Sequence, residues 1–512
     1  MSRCRKLLGY ARQFYANEVA AHARPPVAWG RLFGLQGVTS IERLLLTKEH
    51  GKRVGAGSYA ALAPFVMLWI FLGAATVAAQ MDPSEPPNAK PSKKVLPPIS
   101  GAISRGAVDE TSLRSAVEEL VACGTRHSLS SWDDPKRGIG CGRDRIKSRF
   151  EQIDKGSGGK LQISVDRFET TSPRTGGKPV RMENVIAILP GSDPSLVKTV
   201  FIVSGHYDSR ASSPTDSRSD APGADDDASG VAVALEAARL LSPGTYRATL
   251  AFVALAGEEQ GLLGAKRLLA YFKENGYQIG GMLNNDIVGA DFAPGSGVPH
   301  RVRVFSHGGL GNSGPDNVDP PSRELARAIE GIVGAPAVRL IFRLDRLGRG
   351  GDHRPFAEAG LPAVRFTEPL ENYDHQHQTP RNENGREYGD LVKCMDFKFL
   401  GNVARVNAEA LRVLAIAPAP PKEVTLAGGV TPDAKISWAA GDDAQREGFE
   451  ILWRDTTESR WATLDSANSS GDVVLTGIST DNHFFAVRSV GKNGARSIAI
   501  PAVPKPPSVP SS

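Results

Sequence analysis

Four short stretches of this chain gather acids and histidines among glycines. They are Gly205-His206-Tyr207-Asp208-Ser209; the GADDDASG run from Gly223 to Gly230; Ala256-Gly257-Glu258-Glu259-Gln260-Gly261; and a last set, Asn284-Asn285-Asp286 with Tyr373-Asp374-His375-Gln376-His377. In the first, His206 offers an imidazole. Asp208, two residues on in an extended chain, points the same way and can bind the other ring N–H. Taken alone, this is as easily an ordinary surface turn. Asp225, Asp226 and Asp227 repel one another unless positive charge lies among them. A helix N-terminus supplies some, but one cap needs one Asp, and a dication accounts better for three. Glu258 and Glu259, adjacent in a non-helical turn, point apart and suit different jobs: one on a metal, one free for proton transfer. Either His375 or His377 could be a ligand.

Each stretch has a bland reading as a cap, a solvated turn or a surface tract. Together they offer imidazoles and carboxylates with no CxxC, as two dications bridged by a carboxylate require.

The elements around these stretches place them at strand ends. Strand-like runs at 161–165, 184–189, 200–203, 250–255 and 362–366 alternate with helical stretches such as 113–121, 144–153, 231–241 and 262–275. Several runs are continuously apolar, as strands covered on both faces are. The alternation predicts an α/β domain over residues 105–416, with a mainly parallel central sheet flanked by helices. His206 and Glu258-Glu259 then follow strands directly, facing the crevice where such folds bind ligands. After the Pro-rich link at 417–421, residues 422–505 change to short period-two runs, including 435–438, 449–453 and 485–490. That texture predicts a small all-β sandwich, with 506–512 a tail.

The chain has 512 residues and a net charge of +5. The basicity lies in the first 53 residues, which carry ten Lys/Arg against three Asp/Glu, so the rest is slightly acidic. No basic stripe interleaved with aromatics marks a nucleic-acid groove. Between Val54 and Gln80 no residue is charged; Lys52-Arg53 precede this stretch and Val77-Ala78-Ala79 close it. Residues 1–80 therefore read as a leader with an export signal or an uncleaved anchor, the only membrane contact expected, and 81–104 as a Pro-rich spacer. The protein is expected to be exported: periplasmic, secreted or anchored facing outward. In an oxidising compartment Cys123 and Cys141 could pair, leaving Cys394 free.

With these motifs in order, and with GTRH at 124–127 and GGDHRPF at 350–356, the sequence resembles the zinc exopeptidases that include bacterial leucyl aminopeptidase, aminopeptidase Y and glutamate carboxypeptidase II. The likeness spans roughly 117–414. It implies two zinc ions: His206 and Asp286 completing one site, Glu259 and His377 the other, and Asp226 bridging both. It further implies that Asp208 orients His206, that Glu258 is general base and acid, and that the Asp226-Asp227 peptide is cis. His377 takes the last-ligand position, although Gln378 follows where Thr or Ser is common. Tyr373 is a candidate for the oxyanion and Asp227 for the substrate's ammonium group. Loops such as 294–299 and 343–351 would shape the pocket. The C-terminal segment looks like a fibronectin type III domain, with Trp438 as its buried B-strand Trp and His483 in place of the tyrosine-corner Tyr. The activity implied is that of an aminopeptidase acting on peptides. Two alternatives stand beside it: a glutaminyl cyclase-like enzyme, which binds one zinc and breaks up the Asp-Asp-Asp run, and a non-catalytic adhesion or receptor-like protein.

Overall fold

The computed structural model describes residues 101–291, 301–307, 318–427, 431–467 and 471–505. The leader, the spacer before residue 101, the 294–299 loop and the tail from 506 lie outside the described residues. Eight strands form one sheet: β1 (Gln162–Thr170), β2 (Val180–Leu189), β3 (Thr199–His206), β4 (Thr249–Leu255), β5 (Gln278–Asn285), β6 (Val302–Ser306), β7 (Val338–Ile341) and β8 (Ala363–Thr367). Their order is β1-β2-β4-β3-β5-β8-β6-β7. The central β4, β3, β5 and β8 run parallel. Beside them β2 is antiparallel to both β1 and β4, β6 is antiparallel to β8, and β6 and β7 are parallel. The sheet is thus mixed around a parallel centre. The short link between β1 and β2 leaves no room for a crossover helix and forces the antiparallel pairing there.

Helices cover both faces. Residues alternate along β2, β3 and β4, so Val185, Ala187, Val203 and Phe252 face one side while Ile186, Ile202, Ala251 and Val253 face the other. The first face packs on α1 (Glu110–Val121), α2 (Ile139–Ser157), α3 (Ala228–Leu241), α5 (Pro321–Val333) and α7 (Phe397–Ile416). The second packs on α4 (Leu263–Glu274) and α6 (Arg354–Glu358). Burial of these apolar side chains at about 25 cal/mol per Å² is the main force holding the layers together. A disulfide, Cys123–Cys141, ties the end of α1 to the start of α2, and Cys394 is free.

One contact between layers brings a helix start to a strand end. A Cβ on Gly205 of β3 would lie 2.3 Å from the backbone of Gly230 in α3, and one on Gly230 would lie 2.3 Å from the Asn285 carbonyl. Only glycine at both positions lets α3 begin beside His206 and the end of β5.

Residues 422–504 add β9 (Lys422–Ala427), β10 (Ala434–Ala439), β11 (Arg446–Asp455), β12 (Ala462–Ala467), β13 (Gly471–Leu475), β14 (His483–Gly491), β15 (Ile500–Pro501) and β16 (Val503–Pro504). They form two further four-stranded sheets, ordered β13-β10-β9-β16 and β12-β11-β14-β15. Trp438, Phe449, Ile451, Phe485 and Val487 fill the space between the sheets. The His483 ring bonds the Ser479 carbonyl at 3.0 Å.

A polar seam, buried at Asp319, Glu324, Glu330 and Arg454, joins this sandwich to α5. Arg454 reaches Asp319 at 2.7 Å, Trp461 Nε1 donates to Glu324 Oε2 at 2.7 Å, and Arg460 pairs with Glu330 at 2.7 Å. Burial outweighs the neighbouring Arg327 and raises the Glu324 carboxyl to about 7. A raised carboxyl takes up a proton on folding, so its contribution to stability is lost as pH rises from the ordinary carboxylate value to about 7. Glu324→Gln should therefore gain on the native protein by up to about 3 kcal/mol between pH 5 and pH 8, read from urea midpoints at both pH values. A constant difference between the two proteins would contradict the burial argument.

Candidate active site

The three carboxyl ends of β3, β4 and β5 converge, and each delivers a segment noted above. Because β3, β4 and β5 are parallel neighbours, His206, the Glu258-Glu259 turn and Asp286 emerge on one edge of the sheet. Asp226 comes in at the start of α3. His206, Asp226 and Asp286 have ligand atoms within 4.8 Å of one another, and so do Asp226, Glu259 and His377. Asp226 belongs to both groups: its Oδ1 lies 3.2 Å from His206 Nε2 and its Oδ2 2.9 Å from His377 Nε2. His377 is the more open ligand, with its side chain 29% exposed. His375 turns away, with its Nε2 3.7 Å from Cys394 Sγ.

The three consecutive aspartates have three jobs. Asp226 faces the imidazoles. Asp227 caps α3 by accepting from Gly230 N at 2.8 Å, and its other oxygen accepts from His206 N at 2.9 Å. Asp225 accepts from Gly289 N at 2.6 Å. The peptide between Asp226 and Asp227 is cis. Since Asp227 is fully buried and both its oxygens are used, it cannot hold a substrate's ammonium group. Tyr373, the candidate for the oxyanion, is 64% exposed.

Asp208 acts on His206 through its main chain. His206 Nδ1 lies 3.0 Å from the Asp208 carbonyl and 3.5 Å from its carboxylate Oδ1. The carboxylate instead accepts from Glu258 N at 3.2 Å, Glu259 N at 3.1 Å and Ser128 Oγ at 3.2 Å. It thereby fixes the turn that points the two glutamates apart. Among the described residues the Glu258 carboxylate has no hydrogen-bond partner, and its side chain is partly exposed. Burial, reinforced by Glu259 and Asp286, holds its carboxyl well above the usual range despite His206 nearby.

Four charged residues that no motif assigned surround this geometry, and the first three hold it by hydrogen bonds. Arg126, of GTRH, is fully buried and donates to the carbonyls of Tyr207 (2.7 Å), Leu120 (3.1 Å), Pro222 (2.5 Å) and Gly223 (2.8 Å), clamping the loops that lead to His206 and Asp226. Asp390 accepts from Asp225 N at 2.9 Å and Asp226 N at 2.7 Å. Arg365 pairs with Asp286 at 2.8 Å and Asp345 at 3.3 Å. Asp352, of GGDHRPF, is buried with neither oxygen hydrogen-bonded; burial and the charges of Asp208 and Asp286 raise its carboxyl to about 8. Two of them sit in segments visible as motifs; Asp390 and Arg365 had no sequence signal beyond a lone charge.

The residues present fit metal ions. Glu259 Oε1 is buried and lies 2.8 Å from His377 Nε2, yet it accepts no geometrically satisfactory hydrogen bond. A buried carboxylate oxygen in that state calls for a cation. The donors are imidazole and carboxylate without thiolate, a set that suits zinc in catalytic sites.

A model of peptidase family M28 matches residues 184–395, the segment that carries all five clustered residues. The chain is 39% identical over 411 residues to a protein of Leptosphaeria maculans described as a "probable zinc metalloprotease", covering 77% of this chain and 94% of that one. A protein of Pyricularia oryzae with the same description is 40% identical over 444 residues, covering 81% and 87%. Among solved structures, the aminopeptidase LapA of Legionella pneumophila overlaps 61% of this chain and 72% of its own at 20% identity and a TM-score of 0.45. A glutaminyl cyclase of Fimbriiglobus ruber overlaps 62% and 97% at 20% identity and a TM-score of 0.45. With two metal-ligand clusters sharing one aspartate at the edge of its sheet, and with relatives of this identity over most of their length, the chain belongs to peptidase family M28 and is a metallopeptidase.

Proposed function

We propose that the protein is a two-zinc aminopeptidase that removes N-terminal residues from peptides. The observation that carries this reading is the sharing of Asp226 between two clusters, one oxygen facing each imidazole. His206 and Asp286 would hold one zinc, Glu259 and His377 the other, and Asp226 both. When bound, zinc supplies Lewis acidity and brings the pKa of the attacking water towards about 7. The remaining work falls to the chain. Glu258, with no competing hydrogen bond, takes the water's proton and returns it to the leaving amine. Asp208 fixes the turn carrying Glu258 and the ring of His206. Arg365 balances the charge of Asp286, and Arg126 keeps the ligand loops in register.

The intact Asp225-Asp226-Asp227 run and the presence of both clusters favour this over a single-zinc cyclase, and the free Glu258 carboxylate favours it over a non-catalytic protein. The sandwich at 422–505 we read as fibronectin type III-like, on its paired four-stranded sheets, buried Trp438 and the His483–Ser479 bond.

The test uses Leu-p-nitroanilide, an N-acetylated and a C-amidated peptide, and a peptide with N-terminal Gln, each with and without chelator. Chelator-sensitive cleavage of free N-termini, blocked by acetylation but not by amidation, is expected. Cyclisation of the glutaminyl peptide without cleavage would overturn the reading. Glu258→Gln should keep its zinc and lose activity by about a thousandfold or more; normal turnover in that variant would remove Glu258 from the mechanism.

Export is part of the same proposal, supported by the uncharged 54–80 stretch behind a basic flank and by the Cys123–Cys141 disulfide. Mass spectrometry of the protein recovered from a secreting host should find it outside the cytoplasm, with its N-terminus near Gln80 or the leader intact in membranes. Recovery from the cytosol alone would refute export.

A further inference from the structure

Arg210, which follows the HYDS segment, reaches one of the two clusters. Its Nη1 lies 3.6 Å from Glu259 Oε2, and its Nε reaches the Ala211 carbonyl at 3.4 Å. Its side chain is 14% exposed. The loop that carries it is fastened to the His377 loop: Thr379 N donates to Ser212 Oγ at 2.9 Å, and Ser212 N to Thr379 Oγ1 at 3.2 Å. Arg210 is therefore held at the mouth of the site rather than ranging over the surface.

Its contacts differ from those of a structural arginine. Arg365, fully buried, bonds Asp286 at 2.8 Å and also Asp345 and the Gly350 carbonyl. Charge-assisted bonds of N–H to carboxylate run about 2.7–2.9 Å, and Arg365 meets that standard. Arg210 does not: a 3.6 Å ion pair and a long bond to its own neighbour leave most of its five donors unused among the described residues. Its one carboxylate partner, Glu259, is also a member of a metal-ligand cluster. Arg174 also touches this ligand, donating to the Glu259 carbonyl at 2.5 Å, whereas Arg381, which bonds Gln378 Oε1 at 2.9 Å next to His377, is already paired with Glu383 at 3.1 Å.

We propose that Arg210 receives a carboxylate of the substrate at the mouth of the site and thereby selects for substrates that carry one close to the scissile bond. This rests on the exopeptidase reading above. A guanidinium held at a half-dry rim repels an ammonium group and offers a carboxylate two parallel N–H donors. The carboxylate can come from an acidic N-terminal side chain or from the C-terminus of a dipeptide, and two substrate pairs separate these sources.

The experiment measures kcat/KM for Glu- against Gln-p-nitroanilide and for Leu-Leu against Leu-Leu-amide, in wild type, Arg210→Gln and Arg210→Lys. Ratios within a pair do not depend on the fraction of enzyme correctly folded or metallated. Wild type should favour the carboxylate member of at least one pair. Arg210→Gln should collapse that ratio by roughly ten- to a hundredfold, the worth of a hydrogen bond to a charged group, and Arg210→Lys should retain a good part of it. Collapse in the first pair assigns the side-chain carboxylate; collapse in the second assigns the C-terminus. Ratios unmoved by Arg210→Gln in both pairs overturn the assignment alone. A wild-type enzyme that cleaves none of the four overturns the exopeptidase reading and this assignment with it.

Discussion

The structure turns on one carboxylate. Asp226 is 5% exposed, and each of its oxygens faces a different imidazole. Its neighbours are committed to keeping it there: its own N–H goes to Asp390, Asp227 caps the helix that follows, and the Gly205–Gly230 contact lets that helix start beside the strand carrying His206. Asp226 is the one residue that the two clusters have in common. The fold's parallel centre has a purpose in this light: three strand ends must open on one edge so that distant stretches of chain can meet around a single side chain.

So many acids gathered in a dry place demand compensation. Asp208, Asp226, Asp227, Glu259, Asp286, Asp352 and Asp390 are buried within this region, and Asp225 is half-buried beside them. Two buried arginines offset part of their charge, Arg126 at the loops and Arg365 at Asp286. Proton uptake offsets more: burial together with Asp225 raises the Asp390 carboxyl to about 8. What is left over is concentrated on the five clustered residues, where the orphaned Glu259 Oε1 shows that the protein's own donors stop short. That division of labour leaves negative charge at the two clusters without asking every acid to be a ligand.

Most of the site was legible from residue types and their spacing because each chemical group is short-range: a histidine or acid placed just after an apolar run must emerge at a strand end. The three aspartates show where that reasoning thins. Their surplus over one helix cap pointed to a cation, yet only the packing reveals that Asp227 is consumed by the cap and that Asp225 and Asp390 form a support. Residue types alone left His375 and His377 open; the resemblance chose His377, and the structure places it in the second cluster while the His375 ring turns to Cys394. Arg126 and Arg365 were hidden because a lone arginine in a sequence says nothing about whether carbonyls or carboxylates will surround it. The mainly parallel sheet was legible, whereas which flanking strands run antiparallel was not, since a buried strand's composition does not record its direction.

The sharing of Asp226 is tested most directly by zinc stoichiometry in the wild type and in Asp226→Asn, measured by elemental analysis after dialysis. The account predicts two zinc ions per wild-type chain and the loss of both when the bridging carboxylate becomes an amide. One zinc per wild-type chain, or two retained by Asp226→Asn, would contradict it.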